Sequence, residues 1–270
     1  MGKYSGILLA SDFDGTLAAS DGTIPERVRQ AVAEFIAEGG RFTVSTGRTA
    51  LGFHAYDAAL INAPVILANG GMIYDYAAEK IVRSDGLDDT CIPDLRKVRD
   101  RFPNAAVEMY TIKEACCIHL SGRSRRHFAG QRIVWRGIDD PSEVEFPCVK
   151  IMFGAAPDEI QQIQKFMREN CPTLGFVPTP GEFLEVLRPG INKGSALCRL
   201  AETLGLEMRN VYAIGDSDND LDMLKVASAA FVPKNGDDIA KACATYIVCS
   251  NNDGAVADAI EVIERIAAEL

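Results

Sequence analysis

Strand-like and helix-like runs alternate at both ends of this 270-residue chain, and that alternation restricts its fold more than any other feature. Near the N-terminus, residues 7–11 form a short buried-strand run. Residues 24–38 carry helical apolar spacing at Val28, Val32, Phe35 and Ile36, with Pro25 near the first turn and Gly39-Gly40 beyond the end. Residues 42–45 read as a second strand, 48–60 as a helix and 65–68 as a third strand. The C-terminal third repeats the pattern. Helices are expected at 193–204, 220–226, 237–242 and 255–268, and strands at 211–214, 229–232 and 246–249. Such β-α-β order predicts an α/β fold around a doubly wound, Rossmann-like parallel sheet.

The middle is different. Helices are predicted at 94–101, across a basic stretch at 123–135, and at 158–169. Strands are predicted at 105–109, 115–120, 148–153, 175–177 and 183–187. Meandering strands with helices indicate an α+β module. The simplest organisation is a core from residues 1–83 and 188–270 with an α+β domain, 84–187, inserted into it. No internal repeat or low-complexity segment interrupts this pattern.

Composition narrows the function classes. Apolar residues make up 47% of the chain, enough for a sizeable core, and the formal net charge is −10. An acidic surface repels a phosphate backbone, so broad nucleic-acid binding is not expected. No apolar run approaches the roughly 20 residues that span a bilayer, and the N-terminal apolar run is too short for a signal-peptide core. A cytoplasmic protein with no membrane partner is the expectation. The eight cysteines form no C-x-x-C pair and sit mostly in apolar runs, so they are expected to be reduced core thiols. Oligomeric state leaves no mark in the sequence.

Four motifs carry chemistry. Asp12-Phe13-Asp14-Gly15-Thr16 directly follows the first strand. In an open α/β sheet the carboxyl ends of the strands line the ligand site, so two carboxylates spaced by two can enter one site there. Gly15 permits a tight turn and offers its N–H to an anion. Gly215-Asp216-Ser217-Asp218-Asn219-Asp220 follows the 211–214 strand. So many acids in one loop call for a cation, and carboxylate oxygens suit a hard ion such as Mg2+. The run lacks the glycine and glutamate spacing of an EF-hand. Ser45-Thr46-Gly47-Arg48 places a hydroxyl beside a helix start, which suits a phosphate group or a plain N-cap. Lys193, in Gly190-Ile191-Asn192-Lys193-Gly194, gains meaning only beside the other three.

In order and spacing the four motifs resemble those of the haloacid dehalogenase (HAD) superfamily, and within it the Cof-type phosphatases with a type IIB cap. Asn69-Gly70-Gly71, Leu221-Asp222-Met223-Leu224 and Asp253-Gly254-Ala255-Val256 echo the same pattern. One stretch departs from it: Phe231-Val232-Pro233-Lys234-Asn235-Gly236 stands where relatives usually carry Met-x-Asn-Ala. The resemblance covers roughly residues 3–83 and 188–270.

The resemblance implies a phosphoric monoester hydrolase acting on a small phosphorylated metabolite: a sugar phosphate, a nucleotide or a cofactor phosphate. It implies Asp12 as nucleophile and Asp14 as general acid and base. Thr46, Gly47 and the Gly15 amide would bind phosphate, with Lys193 neutralising it. Mg2+ would be held by Asp12, Asp14 and Asp216, and Asn219 and Asp220 would stand behind them. The inserted segment would be a mobile cap in which Glu182 and Phe183 meet substrate. Two rivals remain. A phosphomutase of the phosphomannomutase type needs a second phosphate site, for which Arg123, Arg125 and Arg126 are candidates. A non-catalytic phosphate-binding regulatory module needs none of the intact catalytic positions.

Overall fold

A computed structural model describes residues 2–177 and 181–268. The chain divides into two compact units. The first contains residues 1–46, 55–82 and 192–270, and the second contains residues 47–54 and 83–191.

The first unit is built on five strands: β1 (Leu8–Ser11), β2 (Arg41–Val44), β12 (Val211–Ile214), β13 (Ala229–Pro233) and β14 (Tyr246–Val248). Their order is β14-β13-β12-β1-β2, and every neighbouring pair is parallel. The chain leaves β1 toward β2 on one side and later returns to β12 on the other. The strand order therefore reverses between β1 and β12, which opens a crevice at their carboxyl ends. β1 is buried at every position, as a strand covered on both faces must be. Leu8, Ala10, Val211, Ala213 and Val232 point to one face, where they pack with Leu197 and Leu200 of α5 (Lys193–Thr203) and Met223 and Leu224 of α6 (Leu221–Val226). Alternation sends Tyr212 and Phe231 to the other face, where their rings lie 6.5 Å apart. There α1 (Glu26–Ala37) lies on β2 and α8 (Ala255–Ala268) on β13 and β14. A short helix, α7 (Asp238–Ala242), links β13 to β14.

β3 (Val65–Leu67) joins the main sheet by a single parallel bridge, Ser45 to Ile66. It then leads a three-stranded sheet with β4 (Met72–Asp75) and β5 (Lys80–Ser84), two strands that the sequence pattern did not reveal.

The second unit is α+β. Its sheet has the order β10-β11-β9-β6-β7-β8, formed by β6 (Ala106–Tyr110), β7 (Ala115–Ile118), β8 (Trp135–Gly137), β9 (Lys150–Gly154), β10 (Gly175–Val177) and β11 (Phe183–Leu187). All pairs are antiparallel except β7 with β8. α2 (Ile92–Arg101) and α4 (Pro157–Asn170) bury Leu95, Val98, Ile160, Ile163 and Met167 against Val107, Met109, Ile151, Phe153, Leu184 and Val186. Cys91, Cys116, Cys148 and Cys171 sit in this core as small apolar groups. Burial pushes the Cys91 and Cys117 thiols up to about 12.

Two helical expectations fail. Residues 48–60 form no helix but two separate turns. One is closed by the Gly52 and Phe53 N–H groups on the Thr49 carbonyl, and the other by Leu60 and Ile61 on that of Asp57. The Asp57 side chain also accepts from the Ala59 N–H, which restarts the chain at mid-segment. Gly47–His54 is instead held within the second unit, where the buried Lys150 ammonium donates to the Gly47 carbonyl at 2.9 Å. The basic stretch is helical only over α3 (Gly122–Gly130). Arg132 takes φ +54°, and Trp135 begins β8, stacked on Phe128 at 5.6 Å. Among the described residues no helix is long and apolar enough to cross a membrane.

Candidate active site

The carboxyl ends of β1 and β12 bring the two acidic motifs together. Asp12 is held by its own N–H, which donates to the Ile214 carbonyl at 2.9 Å. Behind it the chain turns sharply: the Leu17 and Ala18 N–H groups return to the Asp12 and Phe13 carbonyls. Gly15 makes the turn with φ +84°, and a Cβ there would lie 2.6 Å from Asp216 Oδ2. The glycine is thus required both by its backbone angle and by the approach of Asp216. Thr16 Oγ1 donates to Asp216 Oδ1 at 2.7 Å and ties the two motifs directly.

Asp220 organises the β12 loop. Its Oδ2 accepts from the Asp216 and Ser217 N–H groups at 3.0 and 3.1 Å, and its Oδ1 accepts from Lys193. Lys193 opens α5, whose N-cap Asn192 accepts from the Ser195 N–H in a capping box. The Lys193 side chain is fully buried, and its ammonium lies 2.6 Å from both Asp12 Oδ1 and Asp220 Oδ1. Oxygens of Asp12, Asp216 and Asp220 all lie within 4.8 Å of one another.

This much negative charge in a buried place is costly. Burial pushes the Asp12 carboxyl well up. Lys193 pulls it down, while Asp220 and Asp216 add to the rise. Burial raises Asp216 in the same way, against the hydrogen bond from Thr16. Burial alone would lower the Lys193 pKa, but the two carboxylates outweigh it and keep the ammonium charged. One lysine cannot balance three clustered acids. The donor set is all oxygen and its net charge is negative, which fits a hard divalent cation. Both oxygens of Asp220 are already engaged, so it is a buttress, and Asp12 and Asp216 are the carboxylates left to face an ion.

The other expected site residues divide between the two units. Asp14 is exposed at the crevice. Thr46 is buried at the end of β2, with its N–H on the Ile66 carbonyl. Next to it, the Ser45 hydroxyl is buried with no partner among the described residues. Asn219 lies between Ser217 and Asn69: it accepts from Ser217 Oγ and donates to Asn69 Oδ1 at 3.2 Å. Asn69 itself takes φ +50°. Gly47 belongs to the second unit. In that unit Arg123 and Arg126 both reach Glu182, at 2.6 and 3.4 Å, and the Phe183 ring lies 5.0 Å from that of His127. Sequence reasoning assigned no part to Thr16 or Asn235, although both stand inside quoted motifs. Asn235 Nδ2 donates to the Gly15 carbonyl at 2.8 Å.

The model of the haloacid dehalogenase-like hydrolase family matches residues 9–260. A 5-amino-6-(5-phospho-D-ribitylamino)uracil phosphatase of Bacillus subtilis is 30% identical, with 94% of each chain covered. A haloacid dehalogenase-like hydrolase from Bacteroides thetaiotaomicron superposes with a TM-score of 0.83 at 24% identity, covering 95% of this chain and 99% of its own. A HAD subclass IIB sugar phosphatase superposes with a TM-score of 0.84 at 16% identity, covering 95% and 98%. With its sheet, its α+β unit and its clustered motifs all accounted for, the chain belongs to the haloacid dehalogenase-like hydrolase family.

Proposed function

We propose that this hydrolase is a Mg2+-dependent phosphatase that cleaves a small phosphorylated metabolite through an aspartyl-phosphate on Asp12. The observation that carries this is the buried Lys193 ammonium, 2.6 Å from Asp12 and from Asp220, with Asp216 beside them at the crevice between β1 and β12. A carboxylate can approach an anionic phosphate only where cations screen the repulsion.

A carboxylate oxygen of Asp12 attacks phosphorus, and the bond from phosphorus to the ester oxygen breaks. Asp14 gives its proton to the departing oxygen. Asp14, now a base, takes a proton from a water molecule whose oxygen attacks the aspartyl-phosphate. Phosphate leaves and Asp12 is restored. Thr46, the Gly15 amide and Lys193 hold the phosphoryl oxygens, and Gly47 continues that binding segment. The Asp12 and Asp216 carboxylates and the Asp14 main-chain carbonyl would hold Mg2+, which would supply positive charge beside the transferring phosphoryl group. Asp220 and Asn219 keep these groups in place through their contacts with Lys193 and the β12 loop.

The Glu182 pairing of Arg123 and Arg126 neutralises part of the basic stretch that a phosphomutase would use for a second phosphate, which supports hydrolysis over transfer. The uracil-derivative phosphatase relative makes a metabolite monoester the substrate class to test first. The decisive experiment is turnover of p-nitrophenyl phosphate with Mg2+, followed by a panel of phosphorylated metabolites with and without a sugar bisphosphate activator. Release of inorganic phosphate from one metabolite well above the others is the expected result. No turnover of any ester, or transfer without release, overturns the proposal.

A further inference from the structure

The loop between β13 and α7 is bonded to both acidic motifs, and it is the stretch that departs from the usual pattern. Asn235 Nδ2 donates to the Gly15 carbonyl at 2.8 Å, and Asn235 Oδ1 accepts from the Asn251 N–H at 2.9 Å. Two residues on, the Asp237 N–H donates to the Asp216 carbonyl at 2.8 Å. Between them Gly236 closes a turn onto the Pro233 carbonyl, and a Cβ on it would lie 3.1 Å from the Asp216 carbonyl oxygen and 2.8 Å from Val232 Cγ1. Asn251 Nδ2 also holds the Ala18 carbonyl at 2.9 Å. The turn after β1 and the loop after β12 are thus fastened to one splint, although neither sequence motif contains any part of it.

We infer that Asn235 is a positioning residue, which holds the Asp14–Gly15 peptide in register with Asp216 so that a divalent cation can be bound. This rests on the phosphatase reading above, because there the carbonyl of that peptide serves the metal and its N–H the phosphoryl group. The physical reason lies in Gly15. Its φ of +84° is open to glycine over a wide range, so nothing in its own side chain fixes the plane of the preceding peptide. Fixing the Gly15 carbonyl from outside leaves that plane only one hinge. Asn235 does this with a donor, and its acceptor oxygen anchors the donor to the Asn251 backbone. Groups that orient metal ligands in this indirect way typically change metal affinity by about 10- to 100-fold when lost.

The test uses the full-length protein with two substitutions, Asn235→Ala and Asn235→Asp, and Asn62→Asp as control. Asn62 makes the same kind of side-chain bridge, to Phe42 and Gly40, away from the acidic motifs. Mg2+ binding is measured by calorimetry, and backbone hydrogen exchange is followed across residues 12–18 in metal-free protein. Both Asn235 variants are expected to exchange faster there and to bind Mg2+ roughly tenfold more weakly, with the control unchanged. The aspartate variant is decisive, because an added negative charge acting only through space would tighten Mg2+ binding. Tighter or unchanged binding by Asn235→Asp, or unchanged exchange in both variants, overturns the inference. If the wild-type protein binds no Mg2+, the phosphatase reading fails instead, and hydrogen exchange still decides whether Asn235 holds the turn.

Discussion

Replacing Lys193 with methionine tests the electrostatics of the site more severely than any other single change. Methionine keeps most of the side-chain volume and removes the ammonium. Asp12 and Asp220, both buried, then face each other without the cation that each now meets at 2.6 Å. Removing one partner of a buried ion pair typically costs about 3–5 kcal/mol, because the remaining charge has neither water nor counter-ion. For a protein of this size that corresponds to a fall in melting temperature of roughly 10 °C in metal-free buffer. Uptake of a proton by Asp12, already pushed up by burial, limits the loss, so the deficit should shrink as pH falls. Turnover at saturating Mg2+ should fall by about 10²–10³, comparable to the loss of one oxyanion donor. Adding Asp220→Asn removes the second uncompensated charge while keeping an acceptor for the Asp216 and Ser217 N–H groups. The double variant should therefore regain melting temperature without regaining activity. Scanning calorimetry and p-nitrophenyl phosphate hydrolysis read the two effects separately. If Lys193→Met melts within a degree or two of wild type and keeps a third of its activity, the buried ammonium is not balancing these carboxylates.

Further outcomes follow from the site and from the buried thiols. EDTA should stop turnover and Mg2+ restore it, and undiminished activity in metal-stripped protein would refute the cation site. Because burial raises both Asp12 and Asp216, protons compete with the ion. Mg2+ affinity measured by calorimetry should weaken as pH falls. With folded-state pKa values above the unfolded ones, the metal-free protein should lose stability as pH rises above the ordinary carboxylate range, and a flat profile would count against this. Asp12→Asn should prevent covalent phosphorylation, and Asp14→Asn should slow both formation and hydrolysis of the phosphoenzyme, as seen by mass spectrometry. Mild reductant should leave melting temperature and activity unchanged, and the buried thiols should alkylate slowly at neutral pH, since burial holds Cys91 and Cys117 near 12 and Cys116 and Cys171 near 11.

The parts of the fold legible in the sequence were those in which local pattern and tertiary role coincide. β1 is buried throughout and almost wholly apolar because both its faces are covered, and α8 is amphipathic because one face lies on β13 and β14. The acidic motifs were legible because each follows a strand directly, which fixes the end of the sheet it serves. Residues 48–60 misled because their turns are set by distant partners: Lys150 holds Gly47 from 103 positions away, and Asp57 caps a turn where the apolar spacing suggested continuity. The basic and apolar residues on both sides of Gly130 read as one helix up to Trp135, whereas the helix stops at Gly130 and Arg132 at φ +54° turns the chain away. β4 follows β3 after a single turn and so does not stand out as a separate strand, and β5, Lys-Ile-Val-Arg-Ser, is largely exposed and polar. Thr16 and Asn235 carry no local sign of a role, since a hydrogen bond spanning 200 or 220 positions has no local signature.

The distance along the chain between bonded residues also bears on how this protein comes into being. β1 is an inner strand of its sheet, between β2, which is made soon afterwards, and β12, which is made some 200 residues later. Asp12 and Lys193 are 181 positions apart. During synthesis β1 therefore waits with one hydrogen-bonding edge bare, and the intervening second unit, whose strands pair largely with one another, can be complete before that edge is covered. Closing so long a loop is slow compared with local pairing. A nascent or truncated chain that stops short of Lys193 thus has Asp12 but no ammonium beside it, and this buried pair forms only after the second unit has been made.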